Sequence, residues 1–196
     1  MTQDNNFSPG LDLSEVVGDL FAGEADALEH SAIQELSSLT KTYELGELVG
    51  SGGLKEVFVC QDMRTQRDVA YATVKQGLGA FYDAVLVHEA RLTARLSHPN
   101  IIKIYDLGLD EQGRPYFTMD LKSNVNLLEY SRDASTFRKL EVFGVVCQAI
   151  SYAHSQRIIH LDLKPDNIQC DRFGEVLVCD WGLACLLYTS PSPRDA

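Results

Sequence analysis

From Tyr43 onward the chain alternates apolar and polar letters in short runs: "YELGELV", "EVFVCQD" and, after a polar turn at "MRTQ", "RDVAYATV". A period of two predicts half-buried strands, and two strands joined through a glycine turn and followed by a third predict an antiparallel sheet. The period then lengthens. In "FYDAVLVHEARLTARL", Val85, Glu89, Leu92 and Leu96 fall on one helical face. A glutamate in an apolar stripe calls for a cationic partner, because a buried unpaired carboxylate is costly. "HPN" ends that helix, since the residue before Pro99 is driven out of the helical region. Strand-like "IIKIYDLGL" and "PYFTMDL" follow, with "DEQGR" as the hairpin turn between them. After a looser segment, "TFRKLEVFGVVCQAISYAHSQ" predicts a long helix with Leu140, Phe143, Cys147, Ile150 and His154 facing the core. His154 reads there as a packed helix-end residue rather than a ligand.

Ahead of the sheet, residues 1–40 carry eight acidic residues and no basic one, which accounts for most of the formal charge of -11. Within them "EADALEHSAIQELSSL" spaces Leu28, Ile33, Leu36 and Leu39 at near-helical intervals. Both a docking helix and a solvated leader fit that pattern. The acidic balance argues against a nucleic-acid surface. Five cysteines occur without a C-x-x-C pair or a histidine at ligand spacing, so neither a zinc site nor a disulfide framework is predicted. A reducing cytoplasmic setting fits them best. No apolar run approaches the roughly eighteen residues of a membrane span, and "MTQDNNFSPG" has no export signal.

The end of the chain breaks with what precedes it. "CLLYTSPSPRDA", residues 185–196, can be back-translated into a transposon-end adapter used in sequencing libraries, and is expected to be a scar outside the fold. The alternative is a natural Ser/Pro-rich linker.

"IIHLDLKPDNIQCD" and "EVLVCDWGLA" carry the chemistry. With H-x-D-L-K-P-x-N, a D-x-G about a dozen residues later, the loop "GSGGLKEV" and a helix glutamate upstream, residues 43–184 resemble a eukaryotic-type serine/threonine protein kinase of the sort also found in bacteria. The resemblance implies an α+β, two-lobed fold with a five-stranded antiparallel N-lobe sheet. Residues 41–122 would form the N-lobe and hinge, and 123–184 part of a helical C-lobe. It also implies ATP and Mg²⁺ as cofactors and a protein as substrate. Asp162 would accept or orient the substrate hydroxyl proton, Lys164 would lie against the transferring phosphate, and Asn167 and Asp180 would supply oxygen ligands to the metal. Met119 matches the gatekeeper, and the backbone of Asp120 and Lys122 would bond the adenine edge. Val57 and Ala70 match the adenine roof, with plain sheet core as the alternative. His160 would support the loop by packing, and Asp166 would stabilise its turn.

One expected cation is missing. The family pattern T-x-R-x-V-A-x-K aligns with "TQRDVAYA", which puts Ala72 where the nucleotide-binding lysine belongs. Lys75 has the wrong strand parity to replace it, whereas Lys55 shares parity with Val57 and projects beneath the glycine loop. Gly50, Ser51, Gly52, Gly53 and Lys55 read as G-x-G-x-x-K, similar to the with-no-lysine kinases, whose lysine comes from this loop. Lys55 is therefore expected to bind phosphate, with Glu89 as its ion-pair partner. The alternative is a degenerate loop in a nucleotide-binding pseudokinase or scaffold. Other departures are Leu161, where many kinases have an arginine that pairs with a phosphorylated loop, and Trp181, in place of the phenylalanine of D-F-G. Because the activation segment and A-P-E motif would lie beyond Ala184, the chain as it stands is expected to be inactive. Substrate identity and oligomeric state stay open.

Overall fold

A computed structural model describes residues 41–121, 125–171 and 173–186. The chain divides into the units Met1–Thr42 and Tyr43–Ala196, and the described fold belongs to the second. The leader helix expected before Thr40 lies outside the described residues.

Strands β1 (Tyr43–Ser51), β2 (Lys55–Asp62), β3 (Arg67–Val74), β4 (Ile104–Leu109) and β5 (Pro115–Asp120) form one antiparallel sheet in the order β1-β2-β3-β5-β4. Its turns are held by aspartates, as short polar side chains favour. Asp62 accepts from the Thr65 hydroxyl at 2.7 Å and the Arg64 amide at 3.0 Å, while Asp110 accepts from the amides of Gln112 and Arg114, both at 2.9 Å. Gly113, at φ 77°, supplies the left-handed residue of the second turn. The expected strand at Ile101 starts later, at Ile104. Ile101 and Ile102 are instead buried in the core of the second lobe.

The two faces of the sheet differ in partner. On one, Ala72, Val74 and Phe117 pack with Leu86 and Ala90 of helix α1 (Ala80–Ala94). On the other, Cys60, Val69 and Tyr71 meet Tyr43, Phe58 and Tyr116. The Tyr71 and Tyr116 rings stack at 4.7 Å, and the Tyr43 hydroxyl donates to Asp106 at 3.0 Å. A Cβ at Gly108 would come within 2.7 Å of the Tyr116 hydroxyl, so a side chain there would have to displace the Tyr116 ring.

Beyond the sheet come α2 (Leu127–Asp133), α3 (Thr136–Ser155), β6 (Ile158–Ile159), a 3-10 turn (Pro165–Asn167), β7 (Ile168–Cys170), β8 (Val176–Val178) and β9 (Cys185–Leu186). Asn126 caps α2 by accepting from Glu129 N–H at 2.9 Å, and Ser135 caps α3 by accepting from Arg138 N–H at 3.3 Å. β7 pairs with β8, and β6 with β9. Cys185 and Leu186, the first residues of the expected scar, thus enter a backbone ladder, which accepts any side chains. Among the described residues no helix is long and apolar enough to cross a membrane.

Helix α3 corrects the expected core face. Leu140 and Phe143 are 64% and 65% exposed, Cys147 and His154 are exposed too, and Ile150 is half-buried. The buried stripe is Val142, Val146, Ala149 and Ala153. Both stripes recur at helical spacing. The smaller side chains let the helix lie close against Ile158, Ile168 and Val178, where larger ones would overpack the core.

Candidate active site

Strand register places the glycine-loop lysine. Val57 lies opposite Ala72 and Val59 opposite Ala70, with Lys55 opposite Val74 at the start of β2. Directly opposed residues share a face. Lys55, Val57, Ala70 and Ala72 therefore all point to the side of the sheet that α1 covers, and Ala72 is fully buried there. The Lys55 ammonium donates to the Glu89 carboxylate and to Asp180 Oδ1, the latter at 2.9 Å. Glu89 is only 7% exposed. Burial works against the charge of Lys55, but the carboxylates of Glu89 and Asp180 outweigh it and hold the ammonium above the ordinary lysine range. Lys75 lies one residue past β3, and its side chain makes no ion pair among the described residues.

The glycine turn itself is closed by Gly52 N–H donating to the Lys55 carbonyl at 3.0 Å. A Cβ on Gly52 would meet nothing nearer than 3.9 Å, and one on Gly53 nothing within 4 Å. Neither has a left-handed φ. Internal packing and backbone conformation therefore leave both glycines unexplained, and Gly50 has room as well, with Val57 Cβ at 3.6 Å. Ser51, exposed, ends β1 opposite Glu56.

The second cluster surrounds Asp162. Its carboxylate accepts from Lys164 Nζ at 2.7 Å and from Asn167 Nδ2 at 3.0 Å, and its carbonyl accepts from the same amide at 2.9 Å. The Lys164 bond, foremost, holds the Asp162 carboxyl below the usual carboxylate range. With the Asn167 nitrogen engaged, its amide oxygen is the atom left to act as a ligand. His160 is buried, accepts at Nδ1 from Asp162 N–H at 3.3 Å and donates from Nε2 to the Cys179 carbonyl at 3.0 Å. Burial lowers its pKa, in keeping with this neutral, structural pairing. Asp166 accepts from Asn126 Nδ2 at 3.3 Å, which ties the 3-10 turn to α2. Leu161 and Asp180 both adopt left-handed backbone, at φ 63° and 58°. Such residues persist only where surrounding structure holds them, and they concentrate at functional sites.

A cavity of about 230 Å³ joins the clusters, lined by Gly53, Lys55, Glu89, Asp162 and Asp180 among others. Met119 and Asp120 stand elsewhere, at the end of β5, with Met119 opposite Ala70. The Asp120 carboxylate accepts from the Tyr105 hydroxyl, and its N–H bonds the Lys103 carbonyl at 3.2 Å. Lys122 lies outside the described residues. Sequence reasoning missed the contact of Lys55 with Asp180, and also Gly182, where a Cβ would sit 3.1 Å from Glu89 Oε2. The glycine of D-x-G was a visible signal for the latter. Burial pushes the Cys60 and Cys170 thiols up to about 11, so neither is a reactive thiolate.

A small antiparallel sheet with one covering helix, followed by a helix and a loop that brings Asp162 to the same cavity with Asn167 bonded to it, is the arrangement of a protein kinase. The protein kinase domain profile matches residues 43–195, and the chain belongs to that family. It is 31% identical over 188 residues to serine/threonine-protein kinase PknD of Protochlamydia amoebophila, covering 87% of this chain and 19% of that protein. It is 36% identical over 157 residues to serine/threonine-protein kinase PknB of Mycobacterium tuberculosis, covering 76% and 25%. PknD of Chlamydia trachomatis is 34% identical over 158 residues, covering 72% and 17%. The chain thus spans a quarter or less of the curated relatives it matches.

Proposed function

We propose that the protein transfers the γ-phosphoryl group of ATP to a serine or threonine hydroxyl of a protein, with Lys55 as the phosphate-binding cation. The observation that carries this is the double contact of Lys55, with Glu89 and with Asp180, at a cavity that Asp162 also lines. A half-buried, protonated ammonium thus stands on the face of the sheet where Ala72 supplies no charge. The two unexplained glycines support the same reading, since a side chain at either would stand where a phosphate needs close approach to the backbone.

Phosphoryl transfer needs an in-line nucleophile and neutralised phosphate charge, with little covalent work for the protein. Asp162, held ionised, orients the substrate hydroxyl and takes its proton as the oxygen bonds to phosphorus and the bond to ADP breaks. Lys164 can turn from Asp162 to the transferring phosphate. The Asn167 amide oxygen and the Asp180 carboxylate are hard oxygen donors and suit Mg²⁺, which would supply further charge neutralisation when bound. Val57, Ala70 and Met119 supply the apolar wall for the base, and the Asp120 carbonyl part of its polar edge. The cysteine content and ATP requirement favour the cytoplasm.

In the full-length protein, Lys55→Ala should reduce transfer of labelled phosphate from Mg-ATP to a protein acceptor by at least about a hundredfold. Lys75→Ala should leave it nearly unchanged. The reverse ranking overturns the role of Lys55. ATP binding by the unaltered protein with no transfer to any acceptor would favour the pseudokinase reading.

A further inference from the structure

Along their pairing, β4 carries one residue more than β5. Ile104 lies opposite Met119 and Asp106 opposite Thr118, so Tyr105 is the extra residue of a β-bulge and has no direct partner on β5. Bulges re-aim a side chain, and they gather at sheet edges and beside active sites. β4 is an edge strand. The Tyr105 hydroxyl donates to the Asp120 carboxylate, and Asp120 N–H bonds the Lys103 carbonyl at 3.2 Å. The residues on either side of Ile104 thus hold the last residue of β5 by its side chain and by its backbone. The Tyr105 ring is held in turn. The Arg67 guanidinium lies over it, 3.7 Å from the ring centroid, and the Asp62 carboxylate stands 3.9 Å from Arg67 Nε. Burial, then the bond to Asp120, raises the pKa of the Tyr105 phenol, which keeps it a donor.

We propose that Tyr105 is a positioning residue for the nucleotide base, holding Asp120 so that its carbonyl stays aimed at the adenine edge. The proposal rests on the kinase reading, in which that carbonyl is part of the polar edge of the base site. Register supports the placement. Val69 lies opposite Asp120 and Ala70 opposite Met119. Adjacent residues of a strand point to opposite faces, so Met119 faces the base while the Asp120 side chain turns to the side away from α1. Tyr105 therefore works from the far side of the sheet and touches no substrate atom. What it restrains is the peptide: with N–H and carboxylate both held, little rotation is left to the Asp120 backbone. A carbonyl oxygen only accepts. At the 6-position adenine presents an amino donor, whereas guanine presents an acceptor. A fixed carbonyl favours adenine, and a loose one discriminates less. Tyr105→Phe keeps a ring under Arg67 and removes the hydroxyl alone.

Equilibrium binding to the full-length protein tests this, with Mg-ATP and with the triphosphate of purine riboside, which lacks the 6-amino group. In Tyr105→Phe the Kd for Mg-ATP should rise about three- to tenfold, as for the loss of one hydrogen bond. The Kd for the analogue should change by less than about twofold, because the group that the carbonyl meets is absent. Asp120→Ala should behave like Tyr105→Phe, and the double variant should bind no more weakly than either, since both changes remove the same bond. Equal weakening toward both nucleotides would make Tyr105 a structural residue only, and an unchanged Kd for Mg-ATP would leave it no role in binding. Either result overturns the proposal and leaves the kinase reading in place. If the unaltered protein bound neither nucleotide, the kinase reading would fall and the proposal with it.

Discussion

Two lysine–carboxylate clusters meet at one cavity under opposite conditions. Lys55 and Glu89 have side chains 22% and 8% exposed, whereas Lys164 and Asp162 are 48% and 31% exposed. In the first, removing Lys55 strands the Glu89 carboxylate in a poorly solvated place, while removing Glu89 leaves Lys55 with Asp180 alone, so the pair is bound up with the stability of the fold. In the second, water can replace either partner at little cost. The buried cluster suits a group that must stay fixed while phosphate comes and goes. The open one suits a group that changes partners during transfer, as Lys164 does in the proposed reaction.

The contrast can be broken by deleting one member of each. Glu89→Ala should destabilise the fold by about 1–3 kcal/mol, less than for a fully stranded charge because Asp180 still pairs with Lys55, measured by denaturant unfolding. Glu89→Gln, which keeps a hydrogen-bond acceptor for Lys55, should recover part of that loss. An Ala variant as stable as the parent would show that the pair is solvated. Lys164→Ala should leave the unfolding midpoint where it is and lower kcat by about a hundredfold with little change in KM for ATP. A shifted midpoint would place Lys164 with the structural cluster instead.

The smallest expected effect is the pH dependence that separates the buried groups. Burial lowers the pKa of His160 below its ordinary value of about 6.5. As pH falls through that value, the unfolded chain binds a proton that the folded chain refuses. The contribution of His160 to stability is full above about pH 7 and declines as pH drops below 6.5 toward its folded pKa. Lys55 behaves oppositely: its raised pKa keeps the pair intact below the ordinary lysine value and weakens it only as pH rises through the folded pKa. Unfolding free energy followed from pH 8 to 5 should therefore fall less steeply in His160→Asn than in the parent. Equal slopes would mean that His160 titrates normally.

Much of this was legible in one dimension. Alternation along β2 was enough to put Lys55 on the face of Val57, because strand side chains alternate whatever their partners. The turns at "MRTQ" and "DEQGR" were legible from composition, and the aspartates at 62 and 110 hold them by bonding their own neighbouring backbone. Helix α3 was not. Its two stripes have the same period, and the larger apolar side chains at 140 and 143 suggested the wrong one. Only the volume left by Ile158, Ile168 and Val178 selects the stripe of valines and alanines.

The sequence by itself determined which residues could carry the chemistry: one lysine in a glycine loop, one glutamate in a helix stripe, and Asp162, Asn167 and Asp180 in ordered motifs. Tertiary structure alone decided that Lys55 touches Asp180, 125 positions away, as well as Glu89. It alone gave Trp181 an acceptor in Val178 and assembled three tyrosines on the far side of the sheet. The physical reason is range. Period, parity and turn chemistry act between near neighbours, whereas a contact between distant residues exists only after separate elements have packed and fixed which atoms are within reach.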